Sequence, residues 1–501
     1  MIVLRRSQYL SRHLSILLSS MFILFTAGCS GGGSTSGGGG GGTPPANAKE
    51  WTWVSGSNQV GAASVYGTEG MASSANVPGD RGGTFSWIDS GGNLWLFGSG
   101  GYGGLNANGP TNELWKFSPA MKEWTWVSGS SSSPGNEFGV YGTEGVPAST
   151  NIPGGRSSGV SWIDSGGNLW LFGGSGWDST GRANMLNDLW EFNPSTEQWT
   201  WVSGSNQILG TANYGALGVT ATTNVPGARQ SAVSWTDSSG NFWFFGGQGL
   251  DANGDFGSFN DLWEFSPTSK EWTWMSGSAA INAKGVYGTL GTAASGNVPG
   301  ARYNAISWAD RNGNLWLFGG FGYDSAGMPN DLNDLWEFST SSKQWTWVSG
   351  SSTVAVAPSG LCMPGVFGTQ GTAAASNVPG GRNAAVSWID ASGNLWLFGG
   401  LGCDASGTAG SLNDLWEFNT TSKTWTWQNG SNSVGPSQGG TGGPSGVYGI
   451  EGTAAAGNVP GGRDGSTAWI DSSGNLWLFG GSGLDSTGAH GGLNDLWSYT
   501  P

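Results

Sequence analysis

The chain has 501 residues, including 94 glycines and 31 tryptophans, a net charge of −15, and only 10% charged residues. The high glycine and low charge content exclude an ordinary helical enzyme composition, while the aromatic residues supply ample apolar area for a core. The excess of acidic residues argues against binding to nucleic acid, or to anionic lipid by charge. The composition therefore indicates a folded protein that is neither disordered nor collagen-like.

The first 29 residues have the organisation of an export signal. Arg5, Arg6 and Arg12 precede an apolar run over residues 14–25, and a Thr-Ala-Gly-Cys sequence ends at Cys29. This arrangement resembles a bacterial lipoprotein signal, in which Cys29 becomes the lipidated first residue of the mature chain. A threonine stands where leucine is usual, so cleavage without lipid is the alternative. The apolar run is too short to span the ~30 Å of hydrocarbon in a bilayer.

Residues 30–50 are rich in glycine and serine and predict a flexible tether. About twenty such residues have a root-mean-square reach of roughly 25 Å. Loss of the three signal arginines changes the net charge from −15 to −18. We therefore expect an acidic protein held at the outer surface of a bacterial membrane by its lipid anchor alone, in the periplasm or on the cell surface.

Residues 51–501 contain six copies of one unit with four landmarks in a constant order. These are a P-G-x-R step, a G-N-[LF]-W-[LF]-F-G segment, an N-[DE]-L-W segment and a W-T-W segment. Each P-G-x-R arginine is followed six positions later by a tryptophan. Short aromatic or β-branched runs bounded by Gly, Asn, Asp or Ser are typical of strands between turns. The arginines are Arg81, Arg156, Arg229, Arg302, Arg382 and Arg463.

Four strands repeated six times, at intervals of 73 to 81 residues, favour an all-β propeller with one four-stranded sheet per repeat. The G-G, N-D-L-W-E-F and W-T-W segments resemble a kelch repeat over essentially the whole of residues 51–501. That resemblance implies a six-bladed kelch-type propeller related to the galactose-oxidase-like proteins. Ordinary kelch units are shorter, and we expect the additional residues to elaborate one loop face.

The order of the landmarks predicts how the ring closes. The body begins with an isolated W-T-W strand and ends after the third strand of the last unit. An unpaired sheet edge would remain exposed if these two ends stayed apart. We therefore expect residues 51–55 to complete the last blade, which is otherwise formed by residues 463–499.

Two cysteines, Cys362 and Cys403, remain after Cys29 is assigned to the lipid anchor. Both lie in loops of the fifth unit that open on the same face, and an exported protein meets an oxidising environment. We expect a disulfide between them that holds the lengthened loop. Two unpaired thiols are the alternative.

The six repeated arginines have two interpretations. They are expected to ring one mouth of the central channel, where guanidinium groups bind anions or carboxylates. In the cytoplasmic kelch adaptors that the fold resembles, arginines near this mouth bind acidic peptides. Because all six copies are identical, a structural role in holding neighbouring blades is the stronger interpretation.

Residues that depart from the repeat are better candidates for a ligand site. Trp177 is the one tryptophan outside the repeated framework, and Arg182 follows in the same loop. Tyr102 and Tyr323 occupy the matching position in two other repeats. Aromatic side chains at loop tips stack on sugar rings or grip extended peptides. The alternative is that they only cover neighbouring loops.

Metal and enzyme chemistry find little support. The Asp turns, such as that at Asp89, have the wrong spacing for a sialidase Asp box. The G-x-D-x-x-G loops, such as that at Asp178, lack the alternating carboxylates of a calcium cage. The mature chain has a single histidine, His490, which excludes a copper radical site and a three-histidine zinc site. A Ser-His-Asp triad would depend on this one histidine. We therefore expect no metal and no cofactor.

The sequence thus predicts an exported, non-catalytic propeller that binds a glycan, peptide or protein through its long-loop face. One alternative is a carbohydrate-modifying enzyme, because periplasmic sugar mutarotases share a six-bladed kelch fold and use few polar residues. Another is a structural component of the cell envelope.

Overall fold

A computed structural model describes residues 49–99, 110–131, 137–354, 362–435 and 442–501. Cys29, the export signal, the tether up to residue 48 and Tyr102 lie outside these ranges. Within them the regular secondary structure is antiparallel β-sheet, so the prediction of an all-β chain is confirmed. None of the described residues belongs to a helix that is long and apolar enough to cross a membrane.

We number the repeats 1 to 6 by their P-G-x-R arginines. The strands of repeat 1 are Phe85–Ile88, Leu94–Ser99, Thr111–Ser118 and Glu123–Ser128. Those of repeat 2 are Arg156–Ser157, Val160–Ile163, Leu169–Trp177, Ala183–Asn193 and Gln198–Ser203. Those of repeat 3 are Arg229–Gln230, Val233–Thr236, Phe242–Phe245, Gln248–Leu250, Phe256–Ser258, Leu262–Ser266 and Glu271–Ser276.

The later repeats follow the same plan. The strands of repeat 4 are Arg302–Tyr303, Ile306–Ala309, Leu315–Phe318, Phe321–Tyr323, Pro329–Asp331, Leu335–Ser339 and Gln344–Ser349. Those of repeat 5 are Arg382–Asn383, Val386–Ile389, Leu395–Cys403, Ala409–Asn419 and Thr424–Asn429. Those of repeat 6 are Arg463–Asp464, Thr467–Ile470, Leu476–Leu484 and His490–Tyr499, and Trp51–Ser55 pairs with the last of them.

Each repeat forms a meander in which four main strands pair in chain order, which we call its first to fourth strands. In repeats 3 and 4 the ends of these strands that lie beside the P-G-x-R arginine form a separate three-stranded sheet. The fourth strand of repeat 6 is Trp51–Ser55, which pairs antiparallel with His490–Tyr499 in the register Trp51↔Tyr499. These are the two segments that the sequence predicts to pair.

Because the strands alternate in direction, the loops fall on two faces. The Asp turns between first and second strands, and the turns between third and fourth strands, lie on one face, which we call the turn face. The loops between second and third strands, and the connections to the next repeat, lie on the other, which we call the mouth face. Trp51 begins a fourth strand, so the described chain enters the fold at the turn face.

The apolar core is divided into clusters that lie between consecutive repeats. One buries Trp469, Trp477 and Phe479 of repeat 6 against Leu94 and Trp115 of repeat 1. Equivalent clusters of the described residues lie between repeats 1 and 2, 2 and 3, 3 and 4, 4 and 5, and 5 and 6. The framework tryptophans therefore join neighbouring sheets, which gives the molecule a propeller-like arrangement.

A closed cycle of backbone hydrogen bonds joins the six repeats just after the P-G-x-R arginines, and we call it the collar. In each bond an N–H donates to the carbonyl of the equivalent residue in a neighbouring repeat, with N···O distances of 2.6 to 3.0 Å. Every member has a positive φ, between 50° and 67°, which explains glycine at two of the positions. The donors, in order around the cycle, are Ser158, Gly83, Gly465, Ala384, Asn304 and Ser231.

The sequence predicts that the additional residues of each repeat elaborate one loop face. In the structure, part of this extra length instead lies along the outer strand of the sheet. In repeat 1 the segment 65–77 folds back along the fourth strand of its own repeat. The Gly70 N–H donates to the Trp126 carbonyl at 2.8 Å, and the Asn76 side-chain amide donates to the Trp124 carbonyl at 3.0 Å. Equivalent contacts recur in the other repeats. The extra length covers the outer sheet edge, whose polar groups would otherwise be unpaired.

Candidate functional site

The six repeated arginines are buried and do not form an accessible ring of cations. Each is at most 2% exposed and bonds the acidic residue of the N-[DE]-L-W segment, 32 positions later in the same repeat. In repeat 2 the Arg156 Nη1 and Nη2 groups donate to the two Asp188 carboxylate oxygens at 2.6 and 2.8 Å. The guanidinium also donates to the Gly154 carbonyl. Their donors are therefore engaged within the repeat, and a structural role is the one that their geometry supports.

A tryptophan completes each of these clusters, and a tyrosine does so in every repeat except repeat 5, which has Phe367. The Tyr141 hydroxyl donates to the Asp188 carboxylate at 2.6 Å, and the Trp190 indole N–H donates to it at 2.7 Å. Burial, followed by the charge of Asp188, raises the pKa of Tyr141. The cluster neutralises a buried charge pair and satisfies its polar atoms. It holds the start of the first strand against the third strand.

Repeat 1 departs from this arrangement. Glu113 replaces aspartate, and it takes a single Arg81 hydrogen bond, from Nη2 at 2.9 Å. The Arg81 Nη1 atom is buried without a hydrogen-bond partner in the described part of the chain. Glu137 lies nearby and accepts the Asn112 N–H. Burial raises the pKa of Glu137 to about 7; the Asn112 bond opposes this shift, and the charge of Glu113 adds to it.

Trp177 is the last residue of the second strand of repeat 2 and is partly buried. Its ring lies 5.9 Å from that of Phe138 in an edge-to-face arrangement, and its indole nitrogen is buried. Arg182 is more accessible, with 56% of its side chain exposed. Its guanidinium donates to the Thr180 hydroxyl and, at 3.2 Å, to the Gln207 side-chain oxygen. Trp177 packs against the connection that enters its repeat, and ligand binding by this pair stays a prediction.

Tyr323 occupies the matching position in repeat 4, at the end of the short strand that begins at Phe321. It is half-buried, and its backbone N–H donates to the Ala301 carbonyl. No ring contact among the described residues joins Tyr323 to Trp177, which lies two repeats away. Tyr102 falls outside the described residues. The structure therefore does not bring Trp177 and Tyr323 into one aromatic platform.

The aspartates of the G-x-D-x-x-G loops bind backbone rather than leaving oxygens free for calcium. Asp404 accepts the N–H groups of Ser406 and Thr408 on Oδ1 and that of Val434 on Oδ2, at 2.8 to 2.9 Å. The last bond fastens the loop to the connection that leaves the repeat. The described residues contain no group of three or more metal-ligating side chains.

The predicted partners Cys362 and Cys403 form a disulfide, with 5.8 Å between their Cα atoms. Cys362 also forms a parallel β-bridge with Asp331 of repeat 4. The β-bridge therefore connects the loop that enters repeat 5 to the third strand of repeat 4. This contact places the disulfide beside Asp331 on the third strand of repeat 4.

Three positions per repeat surround the collar on the mouth face, and we call them the mouth positions. The first directly follows each arginine, and the other two lie opposite it on the second and third strands. The first-strand members are Gly82, Ser157, Gln230, Tyr303, Asn383 and Asp464. The second-strand members in repeats 2 to 6 are Ser175, Gln248, Phe321, Leu401 and Ser482, and the third-strand members are Met185, Ser258, Asp331, Ser411 and Gly492.

These positions differ among repeats while the arginine beside them is constant. In repeat 4 the rings of Tyr303 and Phe321 lie 5.5 Å apart. The Asn383 side-chain amide donates to the Asp331 carboxylate at 2.7 Å, which links repeats 4 and 5. Burial raises the pKa values of Asp331 and of Asp464 to about 6. The mouth thus joins an aromatic wall to carboxyl and amide groups. In the sequence, the residue type changes from repeat to repeat directly after a constant arginine, and this pattern could have revealed the mouth positions.

A cavity of about 270 Å³ is lined by residues at or just before the first strands of all six repeats. Serine side chains connect neighbouring strands there: the Ser161 hydroxyl donates to the Ser86 carbonyl at 3.0 Å, and Ser387 donates to Ser307 at 2.9 Å. The Thr84 and Thr467 hydroxyls bond across the junction of repeats 1 and 6. Small polar residues and small apolar residues thus line this cavity together.

No family model matches the chain, and no curated protein matches its sequence. Among solved structures, the chain is similar to the one titled "Structure of YjhT", with 14% identity and a TM-score of 0.46. The match covers 84% of this chain and 95% of the other. A match at this TM-score says nothing about a ligand or an activity of this chain.

Proposed function

We propose that the six repeats are the blades of a closed, six-bladed kelch-type propeller. The proposal is supported by the collar, whose hydrogen bonds return to their starting residue after six repeats. It is also supported by the apolar cluster between repeats 6 and 1, which matches those between consecutive repeats. Pairing of the first and last strands removes an exposed edge from such a ring.

We propose that the protein is a non-catalytic binding protein whose site is the mouth of this ring, and that its ligand is a glycan rather than a peptide or another protein. The observation that carries this proposal is the asymmetry of the mouth positions. Their neighbours repeat six times, whereas they supply Tyr303, Phe321, Gln230, Asn383 and Asp331 from different blades. An aromatic face with amide and carboxylate groups around it suits the apolar face and the hydroxyls of a sugar.

The direction of the chain supports a matching cellular role. Trp51 enters the fold at the turn face, opposite the mouth. An anchor at Cys29 would connect to the folded residues through Trp51, and not through any of the mouth positions. We therefore propose an envelope protein of a bacterium, lipid-anchored at an outer membrane surface, that captures a glycan. A purely structural envelope role would leave the asymmetry of the mouth unexplained.

A carbohydrate-modifying enzyme, such as a mutarotase or epimerase, is the second candidate. It is favoured by the Asp331 and Asp464 carboxyls, whose pKa values of about 6 suit proton transfer near neutral pH. Incubation with a panel of reducing sugars, followed by NMR, tests this candidate. Accelerated exchange of anomers or epimers that is lost in Asp331→Asn would favour the enzyme over the binding protein.

Glycan and peptide arrays probed with the full chain in detergent test the binding proposal. We expect glycan binding that Tyr303→Ala and Phe321→Ala each reduce by about five- to thirtyfold, since a stacked aromatic contributes on the order of 1–2 kcal/mol. Trp177→Ala and Arg182→Ala are matched controls on the same face and should leave this binding unchanged. Loss of binding only in the Trp177 and Arg182 variants would move the site to the loop at residues 174–182 and refute the mouth.

A further inference from the structure

The charges of the mouth are not balanced by the protein. Each buried arginine next to the mouth is already neutralised by its own aspartate or glutamate, as in the Arg463–Asp495 pair at 2.7 Å. Asp464 and Asp331 are therefore additional negative groups. No ion pair in the described part of the chain includes either of them.

Asp464 is the clearest case. It directly follows Arg463, and its counterparts in the other five repeats are all uncharged. Its carboxyl is half-buried, and no side-chain hydrogen bond to it is found among the described residues. A carboxylate that is partly removed from water without a partner is costly to the folded protein. Such a group is expected where a ligand supplies the missing cation or donor.

The neighbouring repeat contributes a second unpaired polar group. Ser411 occupies in repeat 5 the position that Asp331 occupies in repeat 4, since Leu401↔Ser411 and Phe321↔Asp331 are equivalent pairs. In repeat 4 this side chain contacts the first-strand residue of the next repeat, Asn383. By the same register, Ser411 is expected to face the first-strand residue of repeat 6, which is Asp464. The Ser411 hydroxyl is fully buried and has no hydrogen-bond partner in the described ranges.

Basic side chains do not compensate this negative mouth. Outside the six arginine pairs, residues 49–501 contain nine basic residues, and only Arg182 and Lys284 of these lie in mouth-face loops. Arg182 is already 3.5 Å from the Asp178 carboxylate. A ligand with its own negative charge would therefore meet repulsion at the mouth. The seven other basic residues lie towards the turn face: Lys49, Lys116, Lys122, Lys270, Arg311, Lys343 and Lys423.

Resting on the proposed function, we infer that the ligand carries a protonated amine, and that it is an oligosaccharide containing amino sugars. Asp464 accepts the ammonium group, and the unpartnered Ser411 hydroxyl stays buried in the neighbouring repeat. The Tyr303 and Phe321 wall takes an adjacent sugar ring, and Asp331 with Asn383 binds ring hydroxyls. This arrangement makes Asp464 a specificity-determining residue, because its charge separates an amine from its acetylated form.

Calorimetric titration of the full chain in detergent tests this inference with three matched probes. These are β-1,4-linked glucosamine tetramers, their fully N-acetylated counterparts, and tetramers of galacturonic acid. We expect the amine form to bind at least about tenfold more tightly than the acetylated form, since a charge-assisted hydrogen bond is lost on acetylation. The acidic tetramer should not bind.

Substitutions assign the selectivity to its residue. Asp464→Asn should bring the amine and acetylated forms to equal affinity, whereas Glu451→Gln, an exposed carboxyl change in the same repeat, should preserve the difference. The comparison of the three tetramers on the unchanged protein does not depend on whether any variant folds. Equal or tighter binding of the acetylated form, still weakened by Tyr303→Ala, would overturn the amine inference and leave the mouth proposal intact. Absence of binding by all three tetramers, or binding that Tyr303→Ala does not change, would overturn both.

Discussion

Replacement of Asp334 by asparagine should destabilise the protein strongly, because it leaves a buried cation without its counter-ion. Arg302 is 1% exposed, and its two terminal nitrogens donate to the Asp334 carboxylate at 2.7 and 2.8 Å. The Tyr287 hydroxyl and the Trp336 indole N–H donate to the same carboxylate. Removal of one partner from a buried ion pair costs about 3–5 kcal/mol. Asparagine keeps the size of the side chain but loses the charge and one acceptor.

The expected shift in melting temperature follows from the size of the folded unit. An unfolding entropy of about 2.1 cal/mol/K per residue, applied to about 450 residues, gives roughly 1 kcal/mol per kelvin. A loss of about 4 kcal/mol then lowers the melting temperature by about 4 °C. Differential scanning calorimetry of both proteins under identical conditions measures this shift directly.

Two matched variants separate the charge from a hydrogen bond alone. Tyr287→Phe removes one hydrogen bond to the same carboxylate, and repeat 5 has Phe367 at this position, so we expect a shift of only about 1–2 °C. Asp164→Asn changes an aspartate in a half-buried turn where asparagine also forms the turn, and it should shift the melting temperature by less than 1 °C. A shift for Asp334→Asn no larger than that for Asp164→Asn would refute the structural role assigned to the arginine clusters.

Three further changes test local features. Glu113→Asp should raise the melting temperature by about 1 °C, since the shorter side chain offers Arg81 the two-bond geometry of the other repeats; an unchanged or lower value contradicts this. The pKa of Glu137, about 7 against an ordinary 4.5, means that the folded state holds the proton more tightly, so stability falls as pH rises between these values. Glu137→Gln should remove that fall in urea titrations at pH 5 and 8, whereas the exposed control Glu144→Gln should retain it. Ala384→Gly should stabilise by about 0.5–1 kcal/mol in urea, since Ala384 has a φ of 52°, and destabilisation would contradict the collar geometry.

The strands could be predicted from the sequence because the repeat displays the same pattern six times. A single W-T-W segment is weak evidence for a strand, but six equally placed copies fix both its type and its order. The same order predicts that Trp51 pairs with the end of the chain, as it does with Tyr499. The positions of Cys362 and Cys403 in loops of one unit likewise predicted the pair that the structure joins.

The partner of each repeated arginine was visible in the sequence only as another landmark. Arg302 and Asp334 lie 32 residues apart, and nothing in that spacing indicates that the start of the first strand meets the third strand. The identity of the six arginines favours a structural role, but only the structure shows that each is buried against an acidic residue of its own repeat. Sequence patterns show which residues recur, but burial and pairing depend on contacts between strands.

The candidate site was missed for a related reason. Trp177 was conspicuous because tryptophan is large and this copy stands outside the framework, yet its ring packs on Phe138. Tyr303, Asn383 and Asp464 are ordinary residues whose significance lies in their shared position after the arginine. Only the strand register shows that these positions from different repeats surround one mouth. A side-by-side comparison of the six units could have marked them as the variable position beside a constant one.

A crystal structure of the complex with the tightest-binding oligosaccharide tests the central claim most directly. The account predicts ligand density at the mouth, with a sugar ring against Tyr303 and Phe321 and a polar group of the ligand within hydrogen-bond distance of Asp464. Density confined to the loop that carries Trp177 and Arg182, or to the turn face, with the mouth empty, would contradict it.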